Sequence, residues 1–304
     1  MKTKEMQGQY LEYCQFRKEL DQKTLKAYRI DLRQFFENVV SDEPSKAEIE
    51  QYITKLHRDY KQKTVKRKIA SIKAFYNYLE EEEIIEEDPF RKIKVKFKET
   101  VILPRIIPRS EIESLLNTMY AESIPINLEE NKFRLRDIAV IEVLFATGAR
   151  VYEVSNIRKE CVDLDSGLIR IMGKGGKERY IQIGEESILK LLRKYYMENA
   201  EMISACGYFF VNARGNRFSE QSIRLMLVKY LRMAGIERKV TPHMFRHSFA
   251  TYLIEEGVDI SCVQRILGHS SISTTQIYIH VAAKKQAEIL RNMHPRKTMK
   301  IMGM

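Results

Sequence analysis

The side chains best suited to chemistry crowd toward one end of the chain: four of its six histidines, His243, His247, His269 and His280, fall between positions 243 and 280. Within that stretch TPHMFRHSFATYLIEEG, 241 to 257, reads as a helix, with Thr241 as cap, Pro242 in the first turn and Gly257 at the close. At about 100° per residue, Phe245, Phe249, Tyr252 and Leu253 gather on one face, while His243, Arg246 and His247 project from the other. Two imidazoles and a guanidinium on a non-core face suit an anion, because arginine forks phosphate oxygens bidentately and an imidazole adds a further hydrogen bond. The i, i+4 spacing of His243 and His247 is also that of a helical metal pair. Met244, however, stands where the HExxH signature has glutamate, and no metal is assigned.

A second arginine lies upstream. In LFATGARVYEVSNI, 144 to 157, a core helix carrying Ile138, Ile141 and Phe145 is interrupted at Thr147 and Gly148, and Arg150 and Glu153 follow the break. Further on, LIRIM and RYIQI predict two strands joined by the turn GKGGK, which puts Lys174 at a hairpin tip. That turn is not a P-loop, since Lys177 is followed by Glu178 and not by Ser or Thr. DISCVQRILGHSS predicts a short helix with Val263, Ile266 and Leu267 inward, stopped by Gly268 so that His269 follows the cap. Ser273 then opens a further helix bearing Tyr278.

These residues need a scaffold, and the pattern supplies a mainly α chain with one small antiparallel β-sheet. From Tyr10 to Leu79 apolar residues keep helical spacing, as in Leu25, Tyr28, Leu32, Phe35 and Phe36 behind a Thr24 cap, which predicts a bundle of about four helices. Between Lys55 and Lys73 the only acid among many basic residues is Asp59, and the acids collect separately at Glu80 to Glu83. Lys61, Lys63, Lys66, Arg67, Lys68 and Lys73 are therefore expected to meet a nucleic-acid backbone. The aperiodic stretch IKVKFKETVILPRIIP divides the chain into an N-terminal helical domain, 1–98, a linker, 99–108, and a larger second domain, 109–304, opened by a Ser110–Glu113 capping box. With 52 Lys and Arg against 41 Asp and Glu, the net charge of +11 favours a polyanionic partner. A hydrophobic fraction of 44% excludes a disordered polymer. No apolar run has the length of a membrane span, the N-terminus lacks a signal-peptide stretch, and Cys14, Cys161, Cys206 and Cys262 form no CxxC pair, which together suggest a reducing cytoplasm.

In this order, ATGARVYEV, GKGGKER, HMFRHSFAT, LGHSS and the tyrosine of TTQIYIH resemble the signature boxes of the tyrosine recombinase (phage integrase) family, and HPR at 294–296 resembles the tails of its Xer-like branch. The resemblance spans nearly the whole chain. It implies a two-domain DNA clamp, with a core-binding, SAM-like helical domain and a catalytic domain with a C-terminal tail. It also implies a catalytic set of Arg150, Lys174, His243, Arg246, His269 and Tyr278, with Glu153 orienting the cluster from behind. Tyr278 would attack a scissile phosphodiester to give a 3′-phosphotyrosyl link, and a 5′-hydroxyl would reverse the step without metal or cofactor. Double-stranded DNA is the implied partner, held by a homotetramer on two sites, with or without a second recombinase or accessory protein, in the cytoplasm at the nucleoid. Type IB topoisomerase-like relaxation and a non-catalytic accessory factor are the competing readings. Against the second, an architectural protein has no need of a nucleophile inside a phosphate clamp. Chromosome-dimer resolution, mobile-element integration and inversion share all six positions.

Overall fold

The computed structural model describes residues 3–95, 97, 105–121, 133–173, 176–268 and 291, and the chain divides at Thr100 into two compact units. The first unit is a bundle of α1 (Gln7–Phe16), α2 (Gln22–Asn38), α3 (Lys46–Asp59) and α4 (Gln62–Glu81), preceded by a 3-10 turn at Thr3–Met6. Leu25, Leu32, Phe35 and Phe36 are buried together with Ile49, Val65, Phe75 and Leu79, so the helical stripe marks the core as the spacing predicts. Tyr28 is half-buried and stacks on Tyr10. The cap of α2 lies earlier than expected. Asp21, extended at φ −65° and ψ 153°, accepts the Thr24 amide at 2.9 Å, so Thr24 sits inside the first turn.

The basic run of α4 divides into two kinds of residue. Lys61, Lys63, Lys66 and Arg67 are exposed. Lys68 is only 2% exposed: its ammonium lies 3.0 Å from the fully buried Asp31, which also accepts from Ser71 Oγ at 2.8 Å and from Arg67. Expecting Lys68 to meet a nucleic-acid backbone is thus incorrect, because its charge is taken up by a buried carboxylate. Lys73 is half-buried and donates to the Ile93 carbonyl at 3.3 Å, which turns it toward its own unit.

The second unit runs α5 (Arg109–Tyr120), α6 (Arg134–Thr147), α7 (Val151–Ser155), β1 (Val162–Asp163), β2 (Leu168–Met172), β3 (Glu178–Gln182), α8 (Glu186–Cys206), α9 (Glu220–Met233), α10 (Pro242–Glu255) and α11 (Ile260–Leu267). Ile138 through Leu144 are buried on every side of α6, which packs against both α8 and α10, so this helix is the axis of the unit. The sheet is antiparallel in the order β1-β2-β3, with Ile171 opposite Arg179 and Met172 opposite Glu178. The Ser110–Glu113 box does not form. Helix α5 begins two residues earlier than that cap implies, at Arg109, behind an extended Pro108 whose carbonyl accepts the Ile112 amide at 3.1 Å. Ile107, expected in the linker, is 1% exposed, and its amide donates to Ser248 Oγ on α10 at 2.7 Å, so the end of that stretch belongs to this core. Residues 98–104 lie outside the described residues, and among the described residues no helix is long and apolar enough to cross a membrane.

Removing the buried carboxylate would strand a buried ammonium. Asp31→Ala is therefore expected to destabilise the first unit by about 3–5 kcal/mol, read as an earlier denaturant transition of the full chain. An unchanged midpoint would contradict the buried pairing.

Candidate active site

Where α6 ends, Thr147 Oγ1 donates to the Val143 carbonyl at 2.6 Å and accepts the Ala149 amide at 3.1 Å, and Gly148 turns left-handed at φ +58°. A Cβ at 148 would lie 2.5 Å from Phe249 Cδ1 and 2.8 Å from Leu267 Cδ2, so the turn is pressed between α10 and α11. This places Arg150, extended at φ −71° and ψ 148°, at the start of α7. Glu153 closes the turn: it accepts the Arg150 amide at 2.8 Å on one oxygen and Arg150 Nη1 at 2.8 Å on the other.

From α10, Arg246 reaches the same turn. Its Nη1 donates to the Gly148 carbonyl at 2.9 Å and its Nη2 to the Leu267 carbonyl at 2.8 Å. Both acceptors lie at helix C-termini, where carbonyls lack intrahelical partners and the helix dipole favours a cation. Arg246 is consequently 4% exposed, not on an open face as the helical wheel predicts. The wheel sees one helix, whereas α11 supplies the second wall. Thr241 stands at the N-cap position of α10 but its side chain caps none of the described amides, and Pro242 follows as expected.

His243, in the first turn of α10, keeps an exposed edge. Partial desolvation pushes its pKa below the ordinary imidazole value, and the charges of Arg246, Arg150 and Arg224 act in the same direction against Glu153. Its neutral form, the one able to accept a proton, is therefore favoured near pH 7. His247 is half-buried and shifted the same way by burial, His243 and Arg246. Burial alone would raise Glu153, which is 3% exposed, yet hydrogen bonds from Arg179 and Arg150 hold its carboxyl below the usual range, ionised and fixed.

Lys174, His269, Tyr278 and His280 lie outside the described residues. Their neighbours do not. The hairpin that carries Lys174 closes with the Gly173 amide on the Lys177 carbonyl at 2.7 Å, and α11 ends at left-handed Gly268, φ +65°, immediately before His269. Of the residues singled out in the sequence, Arg150, Glu153, His243 and Arg246 converge on the α6–α7 turn.

Two arginines escaped sequence reasoning. Arg179 on β3 pairs with both oxygens of Glu153, at 3.2 and 2.7 Å, and Arg224 on α9 contributes to the field at His243. The signal for Arg179 was present: it stands two residues before buried Ile181, hence on the inward face of a strand, where an arginine requires an anion. For Arg224 no local signal existed. Among the described residues no group of three or more His, Cys, Asp or Glu is placed to hold a metal.

A mainly helical unit with one small sheet thus sets two arginines at a helix-end turn, with a histidine in their field. Residues 105–285 match the phage integrase family and residues 8–83 the N-terminal SAM-like domain of phage integrases. The chain is 49% identical to a tyrosine recombinase of Agathobacter rectalis over 292 residues, covering 95% of each chain. It is 32% identical to tyrosine recombinase XerC of Anoxybacillus flavithermus, covering 94% of this chain and 96% of that one. Its fold matches the crystal structure of the XerH site-specific recombinase bound to palindromic difH substrate in a post-cleavage complex, with TM-score 0.74 and 23% identity, over 94% of this chain and 84% of that one. The chain belongs to the phage integrase family, the tyrosine recombinases, which cleave and rejoin DNA strands.

The two depressed histidines set a pH dependence. Between their folded values and the ordinary value of about 6.5 the unfolded chain binds more protons than the folded one, so their contribution to stability is complete above that pH and is lost as pH falls. Relative to a His243→Gln/His247→Gln variant, wild type should lose denaturant resistance on acidification from about pH 7 to about pH 5. Parallel curves would show that neither histidine is held neutral.

Proposed function

We propose that the chain carries out site-specific recombination through a covalent link between Tyr278 and DNA. Tyr278 attacks the scissile phosphorus, the new bond being a 3′-phosphotyrosyl ester and the leaving group a 5′-oxygen. A 5′-hydroxyl from the partner duplex then attacks that ester and releases the tyrosine. One phosphodiester is exchanged for another, so no external energy source or cofactor enters the step.

The observation that carries this reading is the anchoring of Arg150 and Arg246 around the Gly148 turn, which concentrates positive charge in the field that keeps the His243 imidazole neutral. A phenol with an ordinary pKa near 10 needs such surroundings to react at neutral pH. Arg150 and Arg246 hold the non-bridging oxygens and stabilise the charge that grows on them, and His269 adds a hydrogen bond. His243 takes the phenolic proton. Lys174 protonates the departing 5′-oxygen, and Glu153 orients the cluster from behind.

Residues 1–98 form the core-binding domain and 109–304 the catalytic domain in this reading. Lys61, Lys63, Lys66 and Arg67 meet the duplex backbone. Exchange between two duplexes breaks four strands with one nucleophile per protomer, which calls for four copies on two sites, with or without a second recombinase or accessory protein. The enzyme works where its DNA lies, in the cytoplasm at the nucleoid.

Two measurements test this reading. Incubated with a library of nicked duplexes, denatured and sequenced, wild type should carry covalently linked DNA and Tyr278→Phe should carry none; an adduct on the variant would remove Tyr278 from the mechanism. For the N-terminal domain, replacing Lys61, Lys63 and Lys66 by Gln should weaken binding across sequences and flatten the dependence of log K on log salt by about 0.9 for each phosphate no longer neutralised. An unaltered slope would move the DNA-binding face elsewhere.

A further inference from the structure

Glu153 is a buried carboxylate that receives two guanidinium groups, and the two are not equivalent. Arg179 engages both oxygens with two N–H groups, at 3.2 and 2.7 Å, and its side chain is 10% exposed. Arg150 engages one oxygen through Nη1 at 2.8 Å, and its side chain is 38% exposed. The paired, desolvated interaction is the stronger kind, and the single one leaves the remaining Arg150 donors on the more open side. The trio keeps one net positive charge, and the geometry puts it on Arg150.

Arg179 is held in place independently of Glu153. It projects from β3 opposite Ile171, on the face shared with Ile181. Its Cδ lies 3.0 Å, and its Nε 3.6 Å, from where a Cβ on Gly268 would stand, so the side chain crosses the glycine that ends α11. Among the described residues its buried Nε has no hydrogen-bond partner, a cost accepted while both terminal nitrogens serve Glu153.

We propose that Arg179 is a positioning residue that neutralises Glu153 so that Arg150 retains its charge for the scissile phosphate; this rests on the reading in which Arg150 holds that phosphate. Without Arg179, the buried carboxylate would draw Arg150 into a bidentate pair. The cation would remain in the structure while its field at the phosphate was cancelled. A purely structural staple between β3 and α7 would have no such electrostatic consequence, and a second substitution separates the two roles.

The test compares wild type, Arg179→Met, Glu153→Gln and the double variant in single-turnover cleavage of the nicked duplex recovered by covalent capture. Arg179→Met should slow cleavage at saturating DNA by about 10- to 100-fold, less than the roughly 100- to 1,000-fold of deleting a transition-state donor because Arg150 itself remains, with little change in DNA affinity. In the Glu153→Gln background the same substitution should change the rate by less than about threefold, because no carboxylate remains to capture Arg150. A wild-type rate for Arg179→Met, or an equal tenfold loss in both backgrounds, would overturn the proposal. Should Arg179→Met alone fail to fold, the comparison of Glu153→Gln with the double variant decides, since neither of those two leaves a buried carboxylate to capture Arg150.

A second readout needs no DNA. NMR titration of His243, which senses both Arg150 and Glu153, should move upward in Arg179→Met and stay unmoved by the same substitution in the Glu153→Gln background. An unchanged titration in Arg179→Met would overturn the role of Arg179. If wild type forms no adduct on any duplex, the Tyr278 reading fails while this titration still decides what Arg179 does.

Discussion

The second unit depends on one guanidinium bridging two helix ends. Arg246 donates to Gly148 at the close of α6 and to Leu267 at the close of α11, and each of those helices stops at a left-handed glycine. Three requirements are met together. The orphan carbonyls of two helices gain donors, their negative dipole ends gain a cation, and the turns leading to Arg150 and His269 are fixed to the same side chain. A hydrocarbon at 246 would fill the space and leave both carbonyls unsatisfied. A lysine would supply charge without the planar fork that spans two acceptors.

That bridge explains why the neighbouring positions are so restricted. Gly148 has positive φ and no room for a Cβ between Phe249 and Leu267, and Gly268 lies under the Arg179 side chain. Close approach of the turns lets a single buried carboxylate, Glu153, hold a backbone amide and two arginines. Desolvation alone would protonate Glu153, and its ionised state persists only because those donors outweigh burial. Charge on Arg150 and Arg246 then helps keep His243 neutral. The electrostatics form a chain in which each group fixes the protonation of the next.

Sequence alone revealed whatever is periodic or local. The core stripe of α2, the Thr147–Gly148 break and the β2–β3 hairpin follow from apolar spacing and turn residues, and the structure has all three. Caps were less legible. Asp21 and Thr24 are both competent, and the choice between them depends on where the preceding chain becomes extended, which no spacing records. Burial of charge was the least legible property. Lys68 looked like one more cation of a basic face, and Arg246 like part of an open face, because their acceptors come from α2 in one case and from the ends of α6 and α11 in the other. A single-helix wheel carries no information about either.

The same distinction, burial against exposure, sorts the cations of both units. Burial assigns Lys68 and Arg179 to carboxylates of their own fold, whereas exposure leaves Lys61, Lys63, Lys66 and, in part, Arg150 turned toward solvent. The buried pairs are worth little against an apolar replacement but are costly to break singly, so they act as constraints more than as sources of stability. What they constrain is which neighbouring cation keeps an exposed side chain. Asp31 absorbs Lys68 and part of Arg67 within α4, as Glu153 absorbs Arg179 and part of Arg150 at the turn. The net charge of +11 is therefore unevenly presented: buried carboxylates take up Lys68 and Arg179, while cations such as Lys61 and Lys63 stay exposed.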